Sequence, residues 1–365
     1  MTNRCLYFRL CATGVSAILI LAALTGCSST HGSGEVAGSG TSSPTGRPAP
    51  HTSSPPTEPA PQPPPAVVAT APTTASSAPA VCDGAPCYAA GRSWGTLPET
   101  AAPEASGIAA ASVPDVFFVV DDATGTDGIW AINSAGAVLA AIPVEGMDAV
   151  NAEALSTGPC EADSSERCLY IGDIGDNRAR RESVSVYQLR EPVVETQEPA
   201  PAPAAAQRWN FTYPDGAHDA ETLLVAEDRS IIIVTKPDRG TKTHRVYEGA
   251  AGGGELLLVN TFEPPAPIHP AQSLLVGNVV TDGSMVAGRV LLLTYDQAIE
   301  YVAPTPGADP ALFADWPHRQ VPTPAQWQSE GVTYLAAAGV PACGYAVISE
   351  SGGTSGAALG GVACL

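Results

Sequence analysis

One short phrase recurs along this chain: a carboxylate, a small residue, then an aliphatic run. It reads Glu104-Ala105-Ser106-Gly107-Ile108, Asn151-Ala152-Glu153-Ala154-Leu155, Asp219-Ala220-Glu221-Thr222-Leu223-Leu224 and Ser329-Glu330-Gly331-Val332-Thr333-Tyr334. A weaker copy, Ala271-Gln272-Ser273-Leu274-Leu275, fills the widest gap. A return every ~50–70 residues signals repeated supersecondary units, none of which can bury its apolar face alone. Such units fold by stacking. If the stack closes into a ring, an acid at one place in each unit meets its counterparts near the axis.

Between these phrases the chain reads as short strands. Apolar runs such as Val116 to Val120, Leu169 to Ile171, Ile231 to Val234, Val290 to Leu293 and Tyr345 to Ile348 are bounded by Gly, Pro, Asp and Asn. This pattern predicts an all-β sandwich, barrel or propeller. The repeat selects the propeller. Each unit opens on the acid phrase and continues in a second apolar strand ending in a polar residue: Asp121, Asp173, Lys236, Tyr295 or Glu350. Third strands are expected at Gly128 to Ile132, Val184 to Leu189, His244 to Tyr247, Ala298 to Val302 and Ala358 to Cys364. Fourth strands are expected at Val138 to Val144, Gln207 to Tyr213 and Glu255 to Phe262. Three or four antiparallel strands per unit make one blade. The expectation is a five-bladed propeller, or six blades if the long second interval hides another. The last unit lacks an outer strand, which the segment Ala89 to Leu97 would supply.

The N-terminus has a different character. Arg4 and Arg9 precede an apolar run from Val15 to Leu24, too short to span a bilayer and laid out as a signal peptide. Its end, Leu24-Thr25-Gly26-Cys27, resembles the bacterial lipobox, which implies cleavage after residue 26 and acylation of Cys27. Residues 27–81 are Ser, Thr, Pro, Gly and Ala with few large apolar side chains, the composition of a disordered, semi-stiff linker. The propeller is expected over residues 82–365. At roughly 280 residues it can bury about three quarters of its unfolded surface. The expected product is a monomer at the cell membrane, lipid-anchored on the extracytoplasmic face. Formal net charge is −20, with 17 Lys plus Arg, which argues against a nucleic-acid partner. The basic cluster Arg178, Arg180 and Arg181 reads as a solvated loop.

Setting aside Cys5, Cys11 and Cys27 leaves six cysteines, an even number for an oxidising compartment. Spacing favours Cys160–Cys168 across a polar loop and Cys343–Cys364 across an antiparallel pair. Cys82–Cys87 follows by elimination.

In a propeller the first strands line the channel, and the end of each second strand lies beside the start of the first. Glu104 then neighbours Asp121, Glu153 neighbours Asp173, Glu221 neighbours Lys236, Gln272 neighbours Tyr295, and Glu330 neighbours Glu350. Carboxylates gathered at one mouth repel one another and need compensation. Ca2+ accepts several carboxylate oxygens in loose geometry, which makes Glu104, Asp121, Glu153, Asp173, Glu221, Glu330 and Glu350 candidate metal ligands. Water, with Lys236 as an internal counter-charge, is the other answer, and carboxylates sharing protons for catalysis a third. His218 and Glu330 are candidate bases. No His-Glu-x-x-His motif is present. Trp94, Trp130, Trp209, Trp316 and Trp327 fit packing between blades or stacking on sugar rings.

The segments Glu104-Ala105-Ser106-Gly107, Cys168-Leu169-Tyr170-Ile171-Gly172-Asp173-Ile174-Gly175-Asp176-Asn177-Arg178 and Tyr213-Pro214-Asp215-Gly216-Ala217-His218-Asp219-Ala220-Glu221 resemble a family of secreted bacterial β-propeller proteins. That family is more distantly similar to the esterase-like phytase and SdiA-regulated propeller groups. The resemblance covers about residues 95–365. It implies a propeller with an acidic, calcium-binding channel mouth, and no catalytic assignment. This chain has Asp121-Asp122-Ala123-Thr124 where the family has an Asn-Asp-Ser-Gly turn, and Ala152-Glu153-Ala154 where it has Trp-Glu-Asp.

Three functional expectations follow. One is a binding module whose cation recruits an anionic or sugar ligand. Another is a calcium-dependent hydrolase of phosphoesters, lactones or sugars. The third is a structural propeller that docks a cell-envelope protein.

Overall fold

A strand such as Ile231-Ile232-Ile233-Val234 has no polar face and must be covered on both sides. The computed structural model describes residues 81–365, apart from 83, 163, 195–202, 270–277, 336–342 and 352–355. There Ile231 and Ile233 face one apolar cluster, with Tyr170, Trp209 and Leu223. Ile232 and Val234 face another, with Leu224, Val290 and Tyr301. The two-residue period of a strand sends alternate side chains to opposite faces, so one sheet feeds two interfaces.

In chain order, a hairpin of β1 (Val81–Cys82) and β2 (Ala85–Pro86) precedes β3 (Arg92–Thr96). The first antiparallel meander is β4 (Ala105–Ala110), β5 (Phe117–Asp121), β6 (Gly128–Ile132) and β7 (Val138–Glu145). The second is β8 (Ala154–Pro159), β9 (Arg167–Asp173), β10 (Val184–Arg190) and β11 (Ala204–Thr212). The third is β12 (Ala220–Val225), β13 (Ile231–Thr235) and β14 (His244–Gly249), then, past the two-residue β15 (Gly254–Glu255), β16 (Leu257–Phe262). The fourth is β17 (Val280–Val286), β18 (Arg289–Thr294), β19 (Ala298–Val302) and β20 (His318–Val321). The fifth is β21 (Ser329–Tyr334), β22 (Tyr345–Ser349) and β23 (Ala358–Val362), with β3 as its outer strand.

The first strands pack in a cycle: β4 on β8, β8 on β12, β12 on β17, β17 on β21, and β21 back on β4. Five apolar clusters fill the spaces between successive meanders. First strands converging on one axis with apolar sheets stacked around them make a β-propeller. Gly331 shows how closely these strands approach. A Cβ there would lie 2.7 Å from the Ser106 carbonyl oxygen of the neighbouring first strand.

Closure joins the two ends of the domain. β3 pairs antiparallel with β23. The Leu365 amide donates to the Cys87 carbonyl at 2.9 Å, and Ala89 donates to Ala363 at 2.8 Å. Disulfides Cys82–Cys87, Cys160–Cys168 and Cys343–Cys364 are all formed, as the spacing predicts. A buried knot adds to the seam: Glu300 receives Arg319 at 2.6 Å and the hydroxyls of Tyr88 and Tyr334 at 2.6 and 2.8 Å.

The Gln272 phrase expected to open the fourth unit lies outside the described residues; among those described, the first strand of that meander is β17. The fourth unit also has an outer strand, β20, reached through the 3-10 turn Pro310–Asp315. Its sequence, His318-Arg319-Gln320-Val321, is too polar to announce a strand. The lipidation residue Cys27, the signal segment 1–26 and nearly all of the linker also lie outside the described residues.

Candidate functional site

Each first strand except β8 is interrupted by a register shift at its start. The extra residue is Ser106 in β4, Glu221 in β12, Thr281 in β17 and Glu330 in β21. In the second meander Glu153 takes this place, just ahead of β8, with its amide donating to the Gly172 carbonyl at 2.9 Å. A bulge leaves its extra residue out of the ladder and re-aims the side chain. The ring at the channel mouth is therefore Ser106, Glu153, Glu221, Thr281 and Glu330.

This differs from the repeat read in the sequence. Glu104 precedes β4 and is exposed, and Ser106 holds the ring position of the first meander. The Ser106 hydroxyl lies 2.9 Å from a Glu153 carboxylate oxygen and 2.9 Å from the Glu153 carbonyl. Thr281 likewise donates to the Ser329 carbonyl at 2.8 Å. Two meanders supply hydroxyls and three supply buried carboxylates.

The Lys236 ammonium, from the end of β13, contacts the Glu221 carboxylate directly and lies 3.5 Å from Asp219. Burial works to lower its pKa, but Glu221, Asp219 and Glu153 raise it well above the usual lysine range. The ammonium stays charged. The acids remain in excess. Burial, opposed by Lys236, pushes Glu221 up to about 8, with Glu153 and Asp219 adding repulsion. Burial also raises Glu153, against Lys236 and the Ser106 hydroxyl. Glu330 is held well above the carboxylate range by burial and by Glu221. One Glu221 oxygen, Oε2, is buried with no hydrogen-bond partner. Gly175 lets the neighbouring loop press onto this ring; a Cβ there would lie 2.6 Å from Glu153 Oε1.

A second acidic group sits at the rim. Glu104, Asp121 and Asp122 bring one carboxylate oxygen each within 4.8 Å of one another. Asp121 is partly engaged, accepting from the Ala123 amide at 2.9 Å and the Glu104 amide at 3.3 Å. Burial and the Glu153 carboxylate push Asp122 up to about 9, with further repulsion from Glu104, Asp121 and Glu350. Glu350 is raised by burial and by Glu104, and accepts from Gln328 at 2.7 Å. These couplings make rim and ring one electrostatic unit.

Asp173 departs from the expected set. Its carboxylate takes both Arg181 terminal nitrogens, at 2.9 and 2.8 Å, and the amides of Val150 and Asn151 at 3.1 and 2.9 Å. It is fully buried and neutralised by Arg181, which secures the loop carrying Asn151 and Glu153. Arg181 is thus part of the framework, while Arg178 and Arg180 are exposed. His218 is buried beside Tyr213 and Tyr247, and lies 3.1 Å from Asp215 and 3.7 Å from Asp238. Its neighbours form a cluster under the third meander.

Asp282 gave no sequence signal. It follows the bulge in β17, is fully buried, and accepts the Val332 amide at 2.8 Å. Burial holds its carboxyl well above the usual range, against the backbone amides it accepts from.

The sequence matches no known family model and no curated protein. Among solved structures, the chain is similar to a gluconolactonase from Xanthomonas campestris, at 11% identity over 79% of this chain and 97% of that one, TM-score 0.39. It is also similar to regucalcin, a calcium-binding protein from Agrobacterium tumefaciens, at 9% identity over 76% and 96%, TM-score 0.37. A glycosidase (GH43_1) from Xanthomonas citri follows at 10% identity over 77% and 90%, TM-score 0.39.

Proposed function

We propose that this chain is a lipid-anchored, extracytoplasmic binding domain, with each of the five meanders as one blade, whose channel mouth takes up a hard divalent cation, Ca2+ in the first instance. The observation that carries this is the charge imbalance around Glu221. Three buried ring carboxylates and Asp219 share one ammonium, and Glu221 Oε2 has no partner at all. A buried carboxylate oxygen without a donor is costly. The donor set is oxygen only, which suits Ca2+ and disfavours softer metals. Glu104, Asp121 and Asp122 would hold the ion at the rim, with Glu153 and Glu221 behind them. The bound cation would supply a positive centre for an anionic or hydroxyl-bearing ligand. The lipobox resemblance at Cys27 and the linker composition support the placement outside the cell.

Isothermal titration of the metal-free protein with Ca2+ tests the reading. Saturable binding is expected, weakened about tenfold or more, or ~1.4 kcal/mol, by Asp122→Asn. The absence of Ca2+-dependent heat and of any shift in melting temperature would defeat it.

Calcium-dependent hydrolysis is the second reading. It is favoured by Glu330, a buried ring carboxyl whose proton affinity burial and Glu221 raise well above the ordinary carboxylate, as a general acid requires. Turnover of aryl phosphates, lactones or glycosides that is lost in Glu330→Gln would support it.

A further inference from the structure

Beside the mouth, between the fourth and fifth meanders, lies a cleft of about 340 Å3. Its walls include His269, Tyr295, Asp296, Gln326 and Trp327. The other tryptophans pack against the fold, as Trp209 does against Tyr170, whereas Trp327 is 57% exposed. An indole pairs an apolar face with a polar N–H, the combination enriched at binding interfaces.

The polar groups of the cleft are prepared rather than merely present. Asp296, with a side chain only 1% exposed, accepts the His269 amide at 2.9 Å and lies 2.7 Å from its Nδ1. In the neutral ring this contact places the proton on Nδ1 and leaves Nε2 of the largely exposed ring as an acceptor. The Gln326 amide group donates to the Ala358 carbonyl at 2.9 Å, leaving Oε1 buried with no partner. The one carboxylate of the wall, Asp296, is engaged by the His269 ring and amide. Tyr295 joins the cleft to the ring, because its hydroxyl feels Glu221, Glu330 and Lys236.

We infer that this cleft binds a neutral sugar ring, seated on the Trp327 indole, with its hydroxyls donating to His269 Nε2 and Gln326 Oε1. Two acceptors beside a bare aromatic plane complement a ligand with an apolar face and hydroxyl edges. The acids next door repel an anion, and the cleft has no unpaired charge to hold a cation. The volume suits one or two pyranose rings. This site does not depend on the metal reading, since none of its contacts passes through the ion.

The test titrates the full-length protein with cellobiose, maltose, trehalose and N,N′-diacetylchitobiose, following tryptophan fluorescence and ligand-detected NMR, with choline as the cationic comparison. At least one sugar is expected to bind. Trp327→Ala should weaken that binding about tenfold or more, and Trp327→Phe should retain most of it. His269→Ala should weaken it as well. EDTA should leave it unchanged even if it abolishes Ca2+ binding. Absence of binding by every sugar, binding that survives Trp327→Ala, or preference for choline would each overturn the assignment. Trp327 is exposed, so its variants should keep the wild-type melting temperature, which separates lost binding from lost fold.

Discussion

Raising the pH of the metal-free protein should destabilise it, because burial raises the proton affinity of the mouth acids in the fold. Glu221 moves from an ordinary value of 4.5 to about 8 in the fold. Between those values the folded chain retains a proton that the unfolded chain has released. Stability therefore falls as pH rises through the window and levels off above about 8. Each tenfold is worth about 1.4 kcal/mol, so Glu221 alone sets a ceiling of about 5 kcal/mol. Lys236 remains charged throughout and adds no slope. Relaxation and water entry reduce this to a few kcal/mol, or about 5–10 °C in melting temperature for a domain of this size. The assay is thermal unfolding at pH 5, 6, 7 and 8 in EDTA, repeated with Ca2+. In EDTA the melting temperature should fall from pH 5 to 8, and Glu221→Gln should flatten part of that slope. Calcium at about 100 times its Kd should restore about 2.7 kcal/mol at pH 8, and much less at pH 5, where protons compete for the same oxygens. Metal-free stability that stays level or increases from pH 5 to 8 would refute the reasoning, since the acids would then be solvated and ordinary.

Further expectations concern the framework. Arg181→Met leaves Asp173 buried without its partner and should cost about 3–5 kcal/mol by urea denaturation, with loss of Ca2+ affinity as the Asn151–Glu153 loop loosens. Removing Cys343–Cys364 as a double Ala variant should lower stability by about 3 kcal/mol, the loop-closure entropy of its 21-residue separation, read from the same curves. Gly331→Ala should reduce melting temperature without altering the metal ligands, because its Cβ would press on the Ser106 carbonyl.

The ring architecture was legible because its signal is chemical and local. Apolar runs of strand length mark sheets covered on both faces, and the acid phrase marks the start of three of the five meanders. Where the ring residue is a hydroxyl, the phrase misleads. Ser106 holds the ring position, two residues after the Glu104 that the phrase points to. Bulge register decides which residue turns inward, and no side-chain type announces a bulge. Asp173 was misassigned because its partner, Arg181, lies in a loop whose composition reads as solvated. The His269–Asp296 pair is long-range in sequence, and neither residue stands in a motif.

The last sheet of the ring has a consequence for how the chain reaches its folded state. Its outer strand is made first and its three inner strands last. β3 must therefore wait, unpaired, while nearly the whole domain emerges behind it. Contacts of such sequence separation form late and slowly. A tether at the N-terminus would also load this same seam, so that a pull on the chain and its slowest-forming contacts would meet at one strand.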